Sequence, residues 1–210
     1  VTSLGTVPLY LDAWKVDLAY SCSQKGLSCP PGLGPFTMGP RAEEKLNARA
    51  GKVPNWYLDV SLLNQYWGSD RVYHHTAPVN MNFGMREALR LLADEGLENA
   101  WKRHRTNAER LWAGLESLGL DLHVSEELRL PTLTTVRIPE GVDGKAFSRH
   151  LLDRHGIEVG GGLGVLAGKV WRIGLMGYNS RPENVDLLLN LLETELPAFR
   201  SGSTAMAAVA

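Results

Sequence analysis

Cysteine is scarce in this chain, and neither sign of charge is in excess. Cys22 and Cys29 are the only cysteines among 210 residues. Their spacing suits neither a disulfide framework nor paired zinc ligands, so both are expected as free thiols in a reducing compartment. Lysine and arginine total 22 against 23 aspartates and glutamates, a formal charge of −1. No basic surface for nucleic acid or an anionic membrane is therefore expected. No stretch approaches the roughly 20 apolar residues of a membrane span, and no basic segment followed by an apolar core opens the chain. The sequence reads as soluble, with small molecules and protein as its partners. It has no internal repeat. Ala208-Val209-Ala210 does not match the peroxisomal Ser-Lys-Leu signal, and the sequence assigns no compartment.

What is present is the composition of a globular protein, 44% hydrophobic and 21% charged, which argues against disorder and collagen-like repeats. The chain opens on Val1 and not Met, with Val1 to Val7 reading as a strand, so a longer chain is expected. Val16, Leu18 and Tyr20 alternate with Asp17, Ala19 and Ser21, a second strand signal. The loop after it carries Ser23-Gln24-Lys25 and Cys29-Pro30-Pro31-Gly32, where two prolines hold the backbone out of helix and strand. Lys25 thus lies past the carboxyl end of a strand, where open sheets of mixed α/β proteins place ligands.

Helical periodicity runs from 79 to about 118. Leu97, Ala100, Trp101, Ala108, Leu111, Trp112, Leu115 and Leu118 form one apolar stripe, and Gly119 ends it. Strands are expected at Leu120–Val124, Leu133–Ile138, Ile157–Val159 and Val170–Leu175, and helices near 144–155 and 182–195. This alternation places the chain in the α/β or α+β class. The shift near residue 95 suggests one domain over 1–95, a second over 96–200, and a mobile tail over 201–210.

Several segments invite chemistry. The glycines from Gly160 to Gly168 match neither nucleotide-binding pattern, because a strand and not a helix follows, and Val170 stands where a P-loop has Ser or Thr. They read instead as a loop that lets backbone approach something closely. No metal site is expected: His74 and His75 would point to opposite sides of an extended segment, and His104, His123, His150 and His155 are scattered. Arg172 stands in an apolar strand opposite the face of Trp171, Ile173 and Leu175. Such an arginine is either half of a structural ion pair or a clamp for a substrate carboxylate. Lys25 is either solvated or catalytic, with Ser23 and Gln24 beside it as donors for an anion.

Ser23-Gln24-Lys25 with Pro30-Pro31-Gly32, Tyr73-His74-His75-Thr76, Gly161-Gly162-Leu163-Gly164 and Arg172-Ile173-Gly174-Leu175 together resemble the class V pyridoxal-phosphate aminotransferases, within them the alanine:glyoxylate and serine:pyruvate enzymes. The resemblance runs from Val1 to about Phe199. It implies a fold type I pyridoxal-phosphate transferase, α/β in class, with part of the large domain and a complete C-terminal small α/β domain. It also implies a homodimer that transfers an amino group from alanine or serine to glyoxylate or pyruvate. By the same resemblance Lys25 forms the Schiff base with pyridoxal 5′-phosphate, Gln24 helps hold the phosphate, and Val1 lies against the ring. Tyr73 and Thr76 reach the phosphate of the neighbouring subunit, and Arg172 binds the substrate carboxylate. The family's pyridine-nitrogen aspartate, ring-stacking aromatic and phosphate-binding turn would lie upstream of Val1. Two alternatives stay open: a cysteine desulfurase-like enzyme, which would need His where Gln24 stands and a mobile thiol, and a truncated subunit that dimerises without catalysis.

Overall fold

The computed structural model describes residues 1–200; the tail expected over 201–210 lies outside them. Its elements in order are β1 (Leu18–Tyr20), β2 (Phe36–Met38), α1 (Pro40–Asn47), α2 (Val60–Trp67), α3 (Val79–Glu95), α4 (Leu97–Ser117), β3 (Leu133–Arg137), α5 (Gly144–His155), β4 (Gly160–Gly161), β5 (Val170–Gly174) and α6 (Pro182–Glu195). β1 and β2 form an antiparallel ribbon around the Lys25 loop. β3, β5 and β4 form a second sheet with β5 in the centre and both pairings antiparallel.

The main core lies between this second sheet and helices α4, α5 and α6. Leu111 and Leu115 of α4, Val136 of β3, Phe147 and Leu151 of α5, Trp171 and Ile173 of β5, and Val185, Leu188, Leu191 and Leu192 of α6 are all buried there. Each large apolar side chain so removed from water contributes about 1.5–3 kcal/mol. Two buried indoles are paired: the Trp112 indole N–H donates to Thr134 Oγ1 at 2.8 Å, and that of Trp171 to the Gly144 carbonyl at 3.0 Å. Asp143 caps α5 by accepting from the Ala146 N–H at 2.9 Å.

Four sequence expectations change. The helix read over 79–118 is two helices, because Gly96 adopts φ 83°, which no right-handed helix continues through. Val1 to Val7 is a turn and not a strand: Ser3 accepts from the Thr6 and Val7 N–H groups and from the Thr6 hydroxyl, and Gly5 has φ 80°. Local side-chain bonds of this kind compete with strand formation. Leu120–Val124 contributes only an isolated bridge, Leu122 opposite Val136, before the chain turns away. Ile157–Val159 is not a strand either. The Ile157 N–H closes α5 on the Leu151 carbonyl at 3.1 Å with Gly156 left-handed at φ 67°, a helix stop that removes Ile157 from sheet pairing.

Candidate active site

The loop from Ser21 to Pro35 is tied at its neck, where the Ser21 N–H donates to the Pro35 carbonyl at 2.8 Å and the Ser23 N–H to that of Leu33 at 3.0 Å. Ser23 is the knot. It is fully buried, its hydroxyl donates to the Pro30 carbonyl at 2.7 Å, and its own carbonyl accepts from the Cys29 N–H at 3.0 Å. Next to Lys25, Gly26 sits so close to the first turn of the chain that a Cβ there would meet the Leu4 carbonyl at 2.4 Å. These contacts fix the backbone that carries Lys25, whose side chain is half-buried.

A second loop, residues 176–181 between β5 and α6, closes the other side. The Tyr178 N–H donates to Ser28 Oγ at 2.7 Å. Gly177 makes that approach possible, with φ 56° and a Cβ position only 1.7 Å from Ser28 Oγ. Between the two loops lies a cleft of about 510 Å³ lined by Gln24, Lys25 and Ser28 on one side and Gly174, Met176 and Tyr178 on the other. That volume suits a small organic ligand.

Helix α4 holds the second loop from behind. The His104 Nδ1–H donates to the Ala100 carbonyl at 2.6 Å, while Nε2 accepts from the Gly177 N–H at 2.9 Å. Both bonds together define a neutral imidazole, and burial holds its pKa below the ordinary histidine value. Arg103 donates from Nη1 to the carbonyls of Gly177 and Ser180 at 2.8 and 2.9 Å, and from Nε and Nη2 to the Glu95 carboxylate. Hydrogen bonding to this guanidinium holds the Glu95 carboxyl below the usual carboxylate range. Asn107 adds a third link to the Ser180 carbonyl at 2.8 Å. None of these three was expected as part of a site from the sequence. The signal was nonetheless there: His104 and Asn107 fall in phase with the buried positions Ala100, Ala108 and Leu111, where a polar residue needs a partner.

Arg172 projects from β5 on the face opposite Trp171 and Ile173, as the alternation predicts. Its Nε–H donates to the Gly161 carbonyl at 2.7 Å, and β4 runs beside it with Gly160 opposite Arg172. Among the described residues no carboxylate forms a salt bridge with it. The ion-pair reading of Arg172 therefore has no partner here. The glycine-rich segment makes its close approaches to Arg172 and to its own turn, where a Cβ on Gly162 would meet the Leu166 carbonyl at 2.0 Å.

The remaining sequence candidates Val1, Tyr73 and Thr76 are not among the residues that line the cleft. The Val1 carbonyl accepts from the Ser21 hydroxyl at 2.9 Å, which places the first residue beside the neck of the Lys25 loop. Tyr73 and Thr76 join each other, hydroxyl to hydroxyl at 3.0 Å, and both are exposed. His74 and His75 do not point to opposite sides, because their segment forms no strand. His74 stacks on Trp56 at 4.1 Å, and its Nε2–H donates to the Trp56 carbonyl at 3.1 Å. Its Nδ1 then accepts from His75 Nδ1–H across 2.8 Å. Both cysteines are free; Cys29 is buried and Cys22 half-buried. No helix among the described residues is long and apolar enough to cross a membrane.

The family model for class V aminotransferases matches residues 1–188. The chain belongs to that family. A solved structure of an alanine–glyoxylate aminotransferase from Nostoc sp. is 68% identical to it and superimposes with a TM-score of 0.89, over 92% of this chain and 51% of that one. The structure of a ureidoglycine–glyoxylate aminotransferase from Bacillus subtilis is 39% identical with a TM-score of 0.91, over 97% and 53%. Among curated proteins, the alanine–glyoxylate aminotransferase of Callithrix jacchus is 47% identical over 200 residues, 93% of this chain and 48% of that protein. The chain thus spans about half the length of the curated relatives it matches, and its fold is that of the fold type I transferases.

Proposed function

We propose that this chain carries the lysine and the carboxylate-binding arginine of a pyridoxal-phosphate-dependent aminotransferase that moves an amino group from alanine or serine to glyoxylate or pyruvate. The observation that carries the reading is the half-buried Lys25 amine in a cleft walled by Gly174 of β5, the same strand that presents Arg172 without a carboxylate partner among the described residues. The alanine–glyoxylate and ureidoglycine–glyoxylate relatives are named for an amino transfer involving glyoxylate. The donor set also fits the cofactor: a primary amine for its aldehyde, an exposed Gln24 amide for its phosphate, and a loop apex locked tightly enough to aim the amine.

When bound, pyridoxal phosphate supplies an electrophilic carbon for the Lys25 amine and a sink for the electron pair released at the substrate Cα. Arg172 binds the α-carboxylate through two parallel hydrogen bonds, which sets the direction of the Cα–H bond. With the cofactor bound, Lys25 would be the residue placed to take the substrate Cα proton as base and to deliver a proton as acid. Gln24 donates to the phosphate and Val1 contributes apolar contact to one ring face. Tyr73 and Thr76 serve a second copy of the subunit. Their exposure, with the exposed Trp56 and Tyr57 and the half-buried Tyr66 nearby, supports that role, since aromatic side chains are enriched at protein interfaces.

Incubation with pyridoxal phosphate, reduction with borohydride and peptide mass spectrometry test this directly. Selective modification at Lys25, lost in Lys25→Ala, is the expected outcome, followed by transamination assays with alanine and serine. Labelling spread over Lys15, Lys45, Lys52 and the other lysines would refute a working cofactor site in these 210 residues. It would leave the non-catalytic subunit reading, and sulfide release from cysteine would favour the desulfurase alternative.

A further inference from the structure

His150 and His155, which the sequence leaves scattered, converge with Glu195 on the side of the small helical layer formed by the ends of α5 and α6. One ligand atom from each of the three lies within 4.8 Å of the other two. His150 Nε2 bonds directly to Glu195 Oε2, and His155 Nε2 meets the same carboxylate at 3.0 Å. We propose that His150, His155 and Glu195 form a binding site for a divalent first-row transition metal such as Zn²⁺, separate from the Lys25 cleft.

The chemistry of the set favours this. Two imidazole nitrogens and one carboxylate oxygen are a three-ligand set that zinc accepts, leaving a fourth position for water. Bonds of about 2.0–2.1 Å to a tetrahedral ion put ligand atoms about 3.4 Å apart, so small side-chain rotations close the present cluster around one ion. All three side chains are 28–29% exposed, which gives an ion a path in while keeping the ligands partly desolvated. The scaffold is rigid. Phe147 and Leu151 bracket His150 on α5 and are core residues, Glu195 precedes the buried Leu196, and the Phe199 ring lies 5.1 Å from that of His150. Both histidines stand in the last two turns of α5 and Glu195 ends α6, so two helix C-termini turn their partial negative charge toward the cluster. Without metal, the carboxylate only accepts, so each Nε2 carries the proton it shares with Glu195. Coordination requires an Nε2 lone pair, and that proton moves to Nδ1 or to solvent.

Isothermal titration of the untagged chain with Zn²⁺ in a non-chelating buffer, repeated with Co²⁺ and followed by visible absorption, tests the site. The expected result is one tight site per chain with a nitrogen- and oxygen-ligated Co²⁺ spectrum that lacks the intense near-ultraviolet band of thiolate ligation by Cys22 or Cys29. His155→Ala and Glu195→Gln should each weaken that site at least about 10-fold, a loss on the scale of disturbed metal sites. Circular dichroism verifies that each variant keeps the helices. Wild-type binding that is absent at 1:1 stoichiometry, or binding unchanged in folded His155→Ala, would overturn the assignment and leave the three groups as a clasp between α5 and α6.

Discussion

Gly177→Ala is the substitution that most directly probes how the two loops flanking the Lys25 cleft are held together. At φ 56° an alanine carries the left-handed penalty of about 1–2 kcal/mol. Its Cβ would also fall 1.7 Å from Ser28 Oγ and 2.8 Å from the Gly26 carbonyl. Rotating the Ser28 hydroxyl away removes the first overlap but breaks its 2.7 Å bond from the Tyr178 N–H, and the second overlap is with backbone and stays. Overpacking of this kind costs about 1–3 kcal/mol, so the total destabilisation expected is about 2–5 kcal/mol. The strain falls on the residues that flank Lys25, so urea unfolding should be read together with borohydride labelling of Lys25. The variant should unfold at lower urea and label Lys25 less selectively. Ser28→Ala alone forfeits one hydrogen bond, about 0.5–1.5 kcal/mol. In the double variant the hydroxyl overlap no longer exists, so its cost should fall short of the sum of the two single costs by about 1 kcal/mol. A Gly177→Ala protein within about 0.5 kcal/mol of wild type, with Lys25 labelling intact, would refute the claim that the two loops are interlocked.

Two further outcomes follow from the same network. His104 resists protonation in the fold through its burial, whereas in the unfolded chain it takes a proton near pH 6.5. Its contribution to stability is thus complete above about pH 6.5 and is lost as pH falls toward its lowered folded pKa, because the unfolded state then binds the extra proton. Urea midpoints at pH 7.5, 6.5 and 5.5 should show a shallower decline for His104→Leu, together with a loss of about 1–3 kcal/mol at pH 7.5 from the orphaned Gly177 N–H; parallel declines would refute the assignment. Arg172→Lys keeps the charge but loses the planar fork, and should raise the KM for alanine by about 10- to 100-fold with Lys25 labelling unchanged. Loss of the labelling in that variant would instead place Arg172 in maintenance of the fold.

Periodicity made the framework legible. The two-residue alternation around Arg172 located β5 and the face it presents, and the spacing of Leu111, Trp112 and Leu115 located the buried side of α4. Boundaries failed where one residue overrules a pattern. Gly96 breaks a helix whose stripe reads straight through it, and the Ile157 N–H is consumed by a helix stop and so unavailable to a strand. Lys25 stood out because a proline-locked loop after a strand is a local feature, and Arg172 because a charge in an apolar strand is a local anomaly.

Residues that act by being brought together left no such local trace. The Tyr178 N–H and Ser28 Oγ are 150 positions apart, and the bonds from Arg103, His104 and Asn107 to the 176–181 loop span 73 to 77. His150 and Glu195 are 45 apart, and the five-residue step from His150 to His155 exceeds one helical turn. In each case the sequence shows only half of a contact: a hydroxyl in a loop, a polar residue in phase with an apolar stripe, a histidine near a helix end. What completes the contact is the side-by-side packing of α4 and α6, which run in the same direction, Arg103 and Asn107 meeting Ser180, Arg110 meeting Asp186 and Gly114 meeting Leu189, because it lays the loop between β5 and α6 on the Lys25 loop while bringing the far ends of α5 and α6 together. The Lys25 cleft and the proposed metal site are therefore consequences of one packing arrangement, expressed at opposite ends of α6.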